Sequence, residues 1–411
     1  MKSFRKRYKK LIIISICFIF LFSLYNFLIY SNNPFISKWR TIYIETAMTT
    51  NSHQWLATMF IPQSVIEDVL QDRQKQEEMQ KELESSWENI KSHNRTNTLE
   101  ESKKDTNPIK EEKTLEEIFF ETYWELGSNS FKKYLKDNPD VLKNGYYKLE
   151  VDNMNENLDI KTTNGDKILN VDVPNNTILI KVTKDSYVGR LVIVKDSSQV
   201  DVETSSKLGT KGELAQVFSE RYDAQVVVNA SGFKDVDGHG SGGTIKGSYV
   251  LNGIELGEPI NKHWKFVGIK NDGKLYINTR KKIEISEYRW GIEFYPALIV
   301  DGENVVDGTY GMGIQPRTAI GQTKTQDFLI LVVDGRQVGY SLGCTVANCR
   351  DILLKYGAYQ GMNLDGGSSS IIYYKGKQIN KPSSVGGIGR YMPNAIVVKK
   401  KQVSTNEEPI F

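Results

Sequence analysis

Asn363-Leu364-Asp365-Gly366-Gly367-Ser368-Ser369-Ser370 gathers the residue types of a reactive site into eight positions. The apolar residue between Asn363 and Asp365 sets amide and carboxylate two apart, so in extended chain both point the same way. Gly366 and Gly367 leave the backbone open to close approach by a ligand, and Ser368 with its two neighbours adds hydroxyl donors. A Gly/Ser run also makes ordinary surface turns, so the surrounding sequence must decide.

Two other segments share the design. Residues 224–228 are a short β-branched run ending in Asn229-Ala230-Ser231-Gly232-Phe233, and residues 328–333 are another, ending in Asp334-Gly335-Arg336. Runs of this length, rich in Val and Ile and closed by Gly, read as buried strands. Each delivers an Asn or Asp where its strand ends, on a loop held by a rigid sheet. Three strand ends of one polarity point to a shared site.

The elements that position these groups are legible between them. Thr345 is an N-cap candidate, Val346, Cys349, Ile352, Leu353 and Tyr356 line one helix face, and Gly357 supplies the stop. A strand–helix–strand crossover predicts that the Asp334 and Asp365 strands are parallel neighbours with their carboxyl ends on one side. Elsewhere strand patterns dominate and hairpin signals such as Asn271-Asp272-Gly273 recur. The expected fold class is α+β, a mixed β-sheet domain with a few helices.

His239 sits in the glycine-rich stretch 235–243, a loop able to fold over a ligand, and is an acid/base or orienting candidate. Asp235 and Asp237 in the same loop are oxygen ligands suited to a divalent cation such as calcium. The spacing lacks a full EF-hand loop, so no cofactor is assigned.

Together the motifs NASGF (229–233), PRTAIGQT (316–323), VVDGRQ (332–337), GCTVANCRDILLKYGA (343–358), NLDGGSSS (363–370) and INKP (379–382) resemble the phosphodiester glycosidase family. The resemblance covers roughly residues 186–400. It implies cleavage of the bond between a sugar anomeric carbon and a phosphate oxygen. Two features depart from the pattern common in the family. Ala347-Asn348 replaces an acidic pair after the helix-opening threonine, and Ser368 replaces a third glycine.

In such a reaction the departing phosphate needs little protonation, because a phosphomonoester's second pKa is about 6. A cation for the phosphate matters more. Arg317 is the candidate, since a guanidinium binds phosphate through paired hydrogen bonds; Arg336 and Arg390 are further candidates. The sugar side needs a carboxylate at the anomeric carbon, for which Asp365 is the first choice and Asp334 the second. Asn229, Ser231 and Asn363 are expected to hold sugar hydroxyls or phosphate, with backbone donors at Gly366, Gly367 and Ser368. Thr345 adds a donor at a helix N-terminus suited to anions.

The amino terminus speaks to location. Six Lys and Arg residues precede residues 11–30, an uncharged apolar stretch long enough to cross a bilayer with its basic flank cytoplasmic. No small-x-small site ends it, so an uncleaved anchor is expected, with the rest outside the cell. The net charge of +3 over 411 residues is nearly balanced and gives no argument for nucleic-acid binding. Of three cysteines, Cys344 and Cys349 flank the helix start; they are either a disulfide or two small buried thiols.

The expected organisation is a basic tail (1–10), a membrane helix (11–30) and an extracellular helical or disordered stalk (31–144). A small β-rich segment (145–185), the glycosidase-like domain (186–400) and a tail (401–411) follow. Within the stalk, Met79, Leu83, Trp87 and Ile90 mark one helix face, residues 92–113 read as a flexible linker, and Thr114 with Glu117 forms a capping box. The expected function is a membrane-anchored extracellular hydrolase cleaving glycosyl-1-phosphodiester bonds in cell-surface polysaccharide or teichoic-acid-like polymers. The alternative is a protein of envelope or exopolysaccharide assembly that binds such surface glycans without cleaving them.

Overall fold

The computed structural model describes residues 2–50, 53–87, 113–235, 240–260 and 263–401, with side chains from residue 8 onward. His239, Asp237, Ile90 and residues 92–112 of the expected linker lie outside the described residues.

Helix α1 (Lys2–Tyr30) holds the apolar stretch, with Tyr8–Tyr30 long and apolar enough to cross a membrane. Its 23 apolar-segment residues extend about 35 Å at 1.5 Å per residue, matching a hydrocarbon core of about 30 Å. Asn33 then caps α2 (Pro34–Met48), whose first residue is a proline already set at helical φ. After α3 (Trp55–Thr58) and α4 (Gln63–Gln80), these helices share a small core of Ile29, Ile44, Ala47, Ala57, Ile61 and Ile66.

The expected stalk is therefore not a free spacer. Gln80 exchanges hydrogen bonds with the backbone of Ala297, Thr46 accepts from the Ile314 N–H, and the Trp87 indole donates to the Leu275 carbonyl. Further along, the Thr114–Glu117 capping box starts α5 (Leu115–Thr122), as the sequence predicts, and α6 (Asn129–Asp137) follows. Both pack Phe119, Phe131 and Leu135 against a sheet.

That sheet has nine strands and is the frame of the molecule. Strands Lys167–Asp172 and Thr177–Lys184, from the segment expected to precede the domain, are integral to it. Every strand pair among the described residues is antiparallel. One face carries α5, α6 and α8 (Val346–Lys355); the other meets two five-stranded sheets over a Val/Ile-rich core. Helix α7 (Ala215–Arg221) covers the outer side of the sheet that contains Val226–Asn229. A buried triad, with Lys195 2.8 Å from Glu125 and 3.0 Å from Asp327, ties the turn after α5 to the central strands.

The crossover prediction needs one correction. Strands Phe328–Val333 and Ala358–Asn363 do run parallel with α8 between them in sequence, but they are not neighbours. Arg317–Thr323 lies between and pairs antiparallel with both. The short hairpin from Thr323 to Phe328 forms the first of these pairings locally, leaving only the far edge of Arg317–Thr323 for the returning strand. The geometry that matters survives, because an antiparallel middle strand starts where its neighbours end. Arg317, Asp334 and Asp365 therefore emerge at one end of the sheet.

Candidate active site

At that sheet end lies a cleft of about 260 Å³. Its walls include Asp365, the Gly366–Ser369 turn, Arg317, Arg336, Arg390, Asp235, Phe233 and Lys246. Four of the lining side chains are Lys or Arg and two are Asp, so the cleft is built for an anion.

The turn after Asp365 is dictated by its glycines. A Cβ on Gly366 would stand 2.8 Å from the Pro316 carbonyl oxygen, and Gly367 has φ +61°. Ser368 is not among the positive-φ residues, so the departure from a third glycine costs no strain, and its hydroxyl accepts from Arg390 at 3.2 Å. Asn229 holds the turn from beneath: its Nδ2 donates to the Asp365 carbonyl at 2.6 Å, while its Oδ1 accepts from Thr318 and the Ile371 N–H. Asp365 itself is partly exposed at the cleft. Burial pushes its carboxyl up to about 6, against the opposing pull of Ser369, the Gly366 N–H and the Arg390 charge.

The arginines differ in freedom. Arg317 is buried, donating Nε to the Cys344 carbonyl and Nη2 to those of Met312 and Gly313. Among the described residues no hydrogen-bond acceptor pairs with its Nη1. Arg336, in the left-handed region at φ +60°, donates Nε and Nη2 to Gln315 Oε1 and likewise keeps Nη1 without a described acceptor. Desolvation lowers the pKa of both guanidiniums, and for Arg336 the nearby Arg317 charge lowers it further, so each gains from an anion between them. Arg390 forks onto Asp235 at 3.0 and 3.1 Å and lies over the Phe233 ring at 5.2 Å.

Other expected site residues fall elsewhere. Asp334 is 1% exposed and does not line the cleft; its oxygens accept from Asn380 Nδ2, Tyr340 Oη and the Lys381 N–H. It fastens the 380–381 loop, and the second carboxylate at the cleft is Asp235. Ser231 and Asn394 bond each other within the core. Asn363 donates to the Tyr295 carbonyl at 2.8 Å, from a strand end fully buried behind the cleft. Thr345 caps α8 with Asn348 as its reciprocal partner, and neither lines the cleft. The Ala347-Asn348 departure therefore lies outside the walls. Cys344 and Cys349 are buried free thiols with sulfurs 3.4 Å apart.

Among the described residues no three His, Cys, Asp or Glu side chains gather as a metal site, and Asp235 is engaged by Arg390. An oxygen cage for calcium, as suggested by Asp235 with Asp237, would need ligands outside the described residues.

Two walls of the cleft have no signal in the sequence. One is aromatic: Trp264, Phe294 and Tyr295, with ring centroids 5.1–5.3 Å apart and Phe294 stacked on Tyr295. Such faces suit the apolar side of a sugar ring. The other comes from the chain after α2, where Thr49, Thr50 and His53 reach the cleft and Glu45 lies within electrostatic range of Arg317. Residues this far from the motifs carry no local signal; only the tertiary fold brings them in.

Comparison with known proteins adds three findings. Residues 222–399 match the family model described as phosphodiester glycosidase. The chain is 26% identical over 241 residues to the SPbeta prophage-derived uncharacterized protein YomE of Bacillus subtilis (strain 168); the match covers 53% of this chain and 35% of that relative's length. Among solved structures, zebrafish N-acetylglucosamine-1-phosphodiester alpha-N-acetylglucosaminidase, its catalytic domain auto-inhibited by pro-peptide, aligns at TM-score 0.44 and 19% identity. That alignment covers 55% of this chain and 83% of that one. A hypothetical protein from Synechocystis aligns at TM-score 0.42 and 13% identity, over 56% and 63% of the two chains.

Proposed function

We propose, from the match of residues 222–399 to the phosphodiester glycosidase family model, that this chain hydrolyses glycosyl-1-phosphodiester bonds of cell-surface polymers outside the cell, anchored by α1. The observation that carries this reading is the convergence of Asp365 with Arg317, Arg336 and Arg390 on one cleft.

The phosphate takes the free Nη1 atoms of Arg317 and Arg336 together with donors of the Gly366–Ser369 turn. The sugar ring lies against Trp264 and its aromatic neighbours. Asp365 works at the anomeric carbon, as the ionised carboxylate that draws the proton from water while the C1–O bond to phosphate breaks. Its raised pKa keeps it basic enough for that task near neutrality. Asp235, paired with Arg390, stabilises the positive charge developing on the ring. The cleft volume is below the roughly 300–1,000 Å³ of drug-sized sites, which favours one sugar phosphate unit at a time.

The uncleaved anchor is supported by packing. Ile29 of α1 is buried with Ile44 and Ala47 of α2, so removing α1 would open that core. The departure at Ala347-Asn348 would favour the glycan-binding alternative if it touched the site, and that pair lies away from the cleft. The test follows release of free sugar from a panel of sugar-1-phosphodiesters by the full chain in detergent. Turnover lost in Asp365→Asn, with the circular dichroism spectrum unchanged, is the expected result. Saturable glycan binding without turnover by the wild type would replace the hydrolase reading with the binding one.

A further inference from the structure

The cleft wall formed by Thr49, Thr50 and His53 belongs to the same short segment that is fastened to the membrane helix. Tyr25, inside the apolar stretch of α1, donates its hydroxyl to the Phe60 carbonyl at 3.0 Å. Arg40 of α2 donates Nη1 to the Leu28 and Ser31 carbonyls at 3.3 and 3.0 Å. Phe60 is thus held level with Tyr25, roughly 8 Å short of the end of α1 at 1.5 Å per residue.

This segment shows apolar side chains where a water-facing surface would not. Phe35, Trp39 and Tyr43 recur every four residues along one stripe of α2 and are 71%, 49% and 45% exposed. Met59 and Phe60 are 71% and 55% exposed. An apolar groove of about 590 Å³ runs between this stripe and the end of α1. Aromatic residues at the level of a membrane helix end are the composition of an interfacial belt. Charge agrees: between Ser31 and Ile61 the one carboxylate is Glu45, which is buried, while Lys38 is exposed.

We propose that α2 and the turn through Phe60 form a platform seated in the bilayer interface, which holds the cleft mouth against the membrane. The cleft then takes glycosyl phosphodiesters whose aglycone is a lipid tail in that same bilayer. The substrate class rests on the hydrolase reading above; the platform stands apart from it. In the step, water adds to the anomeric carbon, the C1–O bond breaks, the free sugar leaves, and the phosphomonoester stays on the lipid.

The experiment reconstitutes the full chain in phosphatidylglycerol-containing vesicles. It compares N-acetylglucosaminyl and glucosyl phosphodiesters of dialkylglycerol with the same sugars on glycerol phosphate. At least tenfold higher kcat/KM on the lipid-anchored forms is expected. That preference should collapse in Phe35→Ser/Trp39→Ser/Phe60→Ser, with turnover of the soluble forms retained. Equal turnover of anchored and soluble forms overturns the inference and leaves the hydrolase intact.

If neither form is cleaved, the hydrolase reading fails and the platform is judged by fluorescence. Brominated lipids should quench the emission that is lost in Trp39→Phe/Trp55→Phe. Absence of that quenching overturns the platform.

Discussion

Asp365 is under two opposed demands, since the fold favours its neutral form and the proposed chemistry uses the ionised one. With a carboxyl at about 6 rather than the usual 3.8, the native state binds more protons than the unfolded chain between those values. Stability from this group is therefore full below pH 3.8 and falls as pH rises to about 6. Asp365→Asn should raise the melting temperature above pH 6, by the equivalent of roughly 1–2 kcal/mol, while abolishing turnover. The wild-type rate should rise with pH through a midpoint near 6; a rate that falls there would make Asp365 an acid instead. Asp334 predicts the reverse pattern. Asp334→Ala leaves buried donors unpaired and should cost roughly 2–4 kcal/mol, read by urea denaturation, with activity declining only as the protein unfolds. Both residues stand before glycine at strand ends, so the sequence could not tell the carboxylate proposed to react from the one that fastens a loop.

At the scale of elements, the strands and helix that carry the motifs were legible because each signal is local. The apolar run at 328–333, the Thr345 cap and the Gly357 stop all fall where the structure puts them. The interposed strand Arg317–Thr323 was not placed, since pairing partners are set by the whole sheet rather than by any one run. Thr345 illustrates the resulting contrast in function. Thr345→Ala removes a cap worth about 1 kcal/mol and should leave KM unchanged, because the residue does not face the cleft. Arg336→Gln removes the proposed charged phosphate contact, worth roughly 1.5–3 kcal/mol, and should raise KM on the order of 10–100-fold in the sugar-release assay.

For the whole molecule, the boundary between stalk and glycosidase-like body does not fall where composition changes. Hydrophilic helices at 63–80 and 129–137 read as a spacer, yet they and the chain around them fill positions the sheets leave open. A chain truncated to residues 145–411 loses Phe119, Phe131 and Leu135 from the sheet face and leaves Lys195 and Asp327 without Glu125. It should be insoluble or aggregate in size-exclusion chromatography, because breaking a buried ion network strands its charges. A chain beginning at residue 113 keeps that face covered but lacks the wall of Thr49, Thr50 and His53. It also strips buried Lys265 of its Lys81 and Leu83 carbonyl acceptors and loses the buried Trp87, so it should fold with a lowered melting temperature and turnover reduced at least tenfold.

The aromatic wall has a practical consequence. Of the six tryptophans in the chain, Trp264 is the one that lines the cleft. A sugar ring bound as proposed would displace water from that indole and shift its emission. Occupancy of the cleft is then reported by the protein's own light, so affinities can be titrated without a label and without waiting for a bond to break.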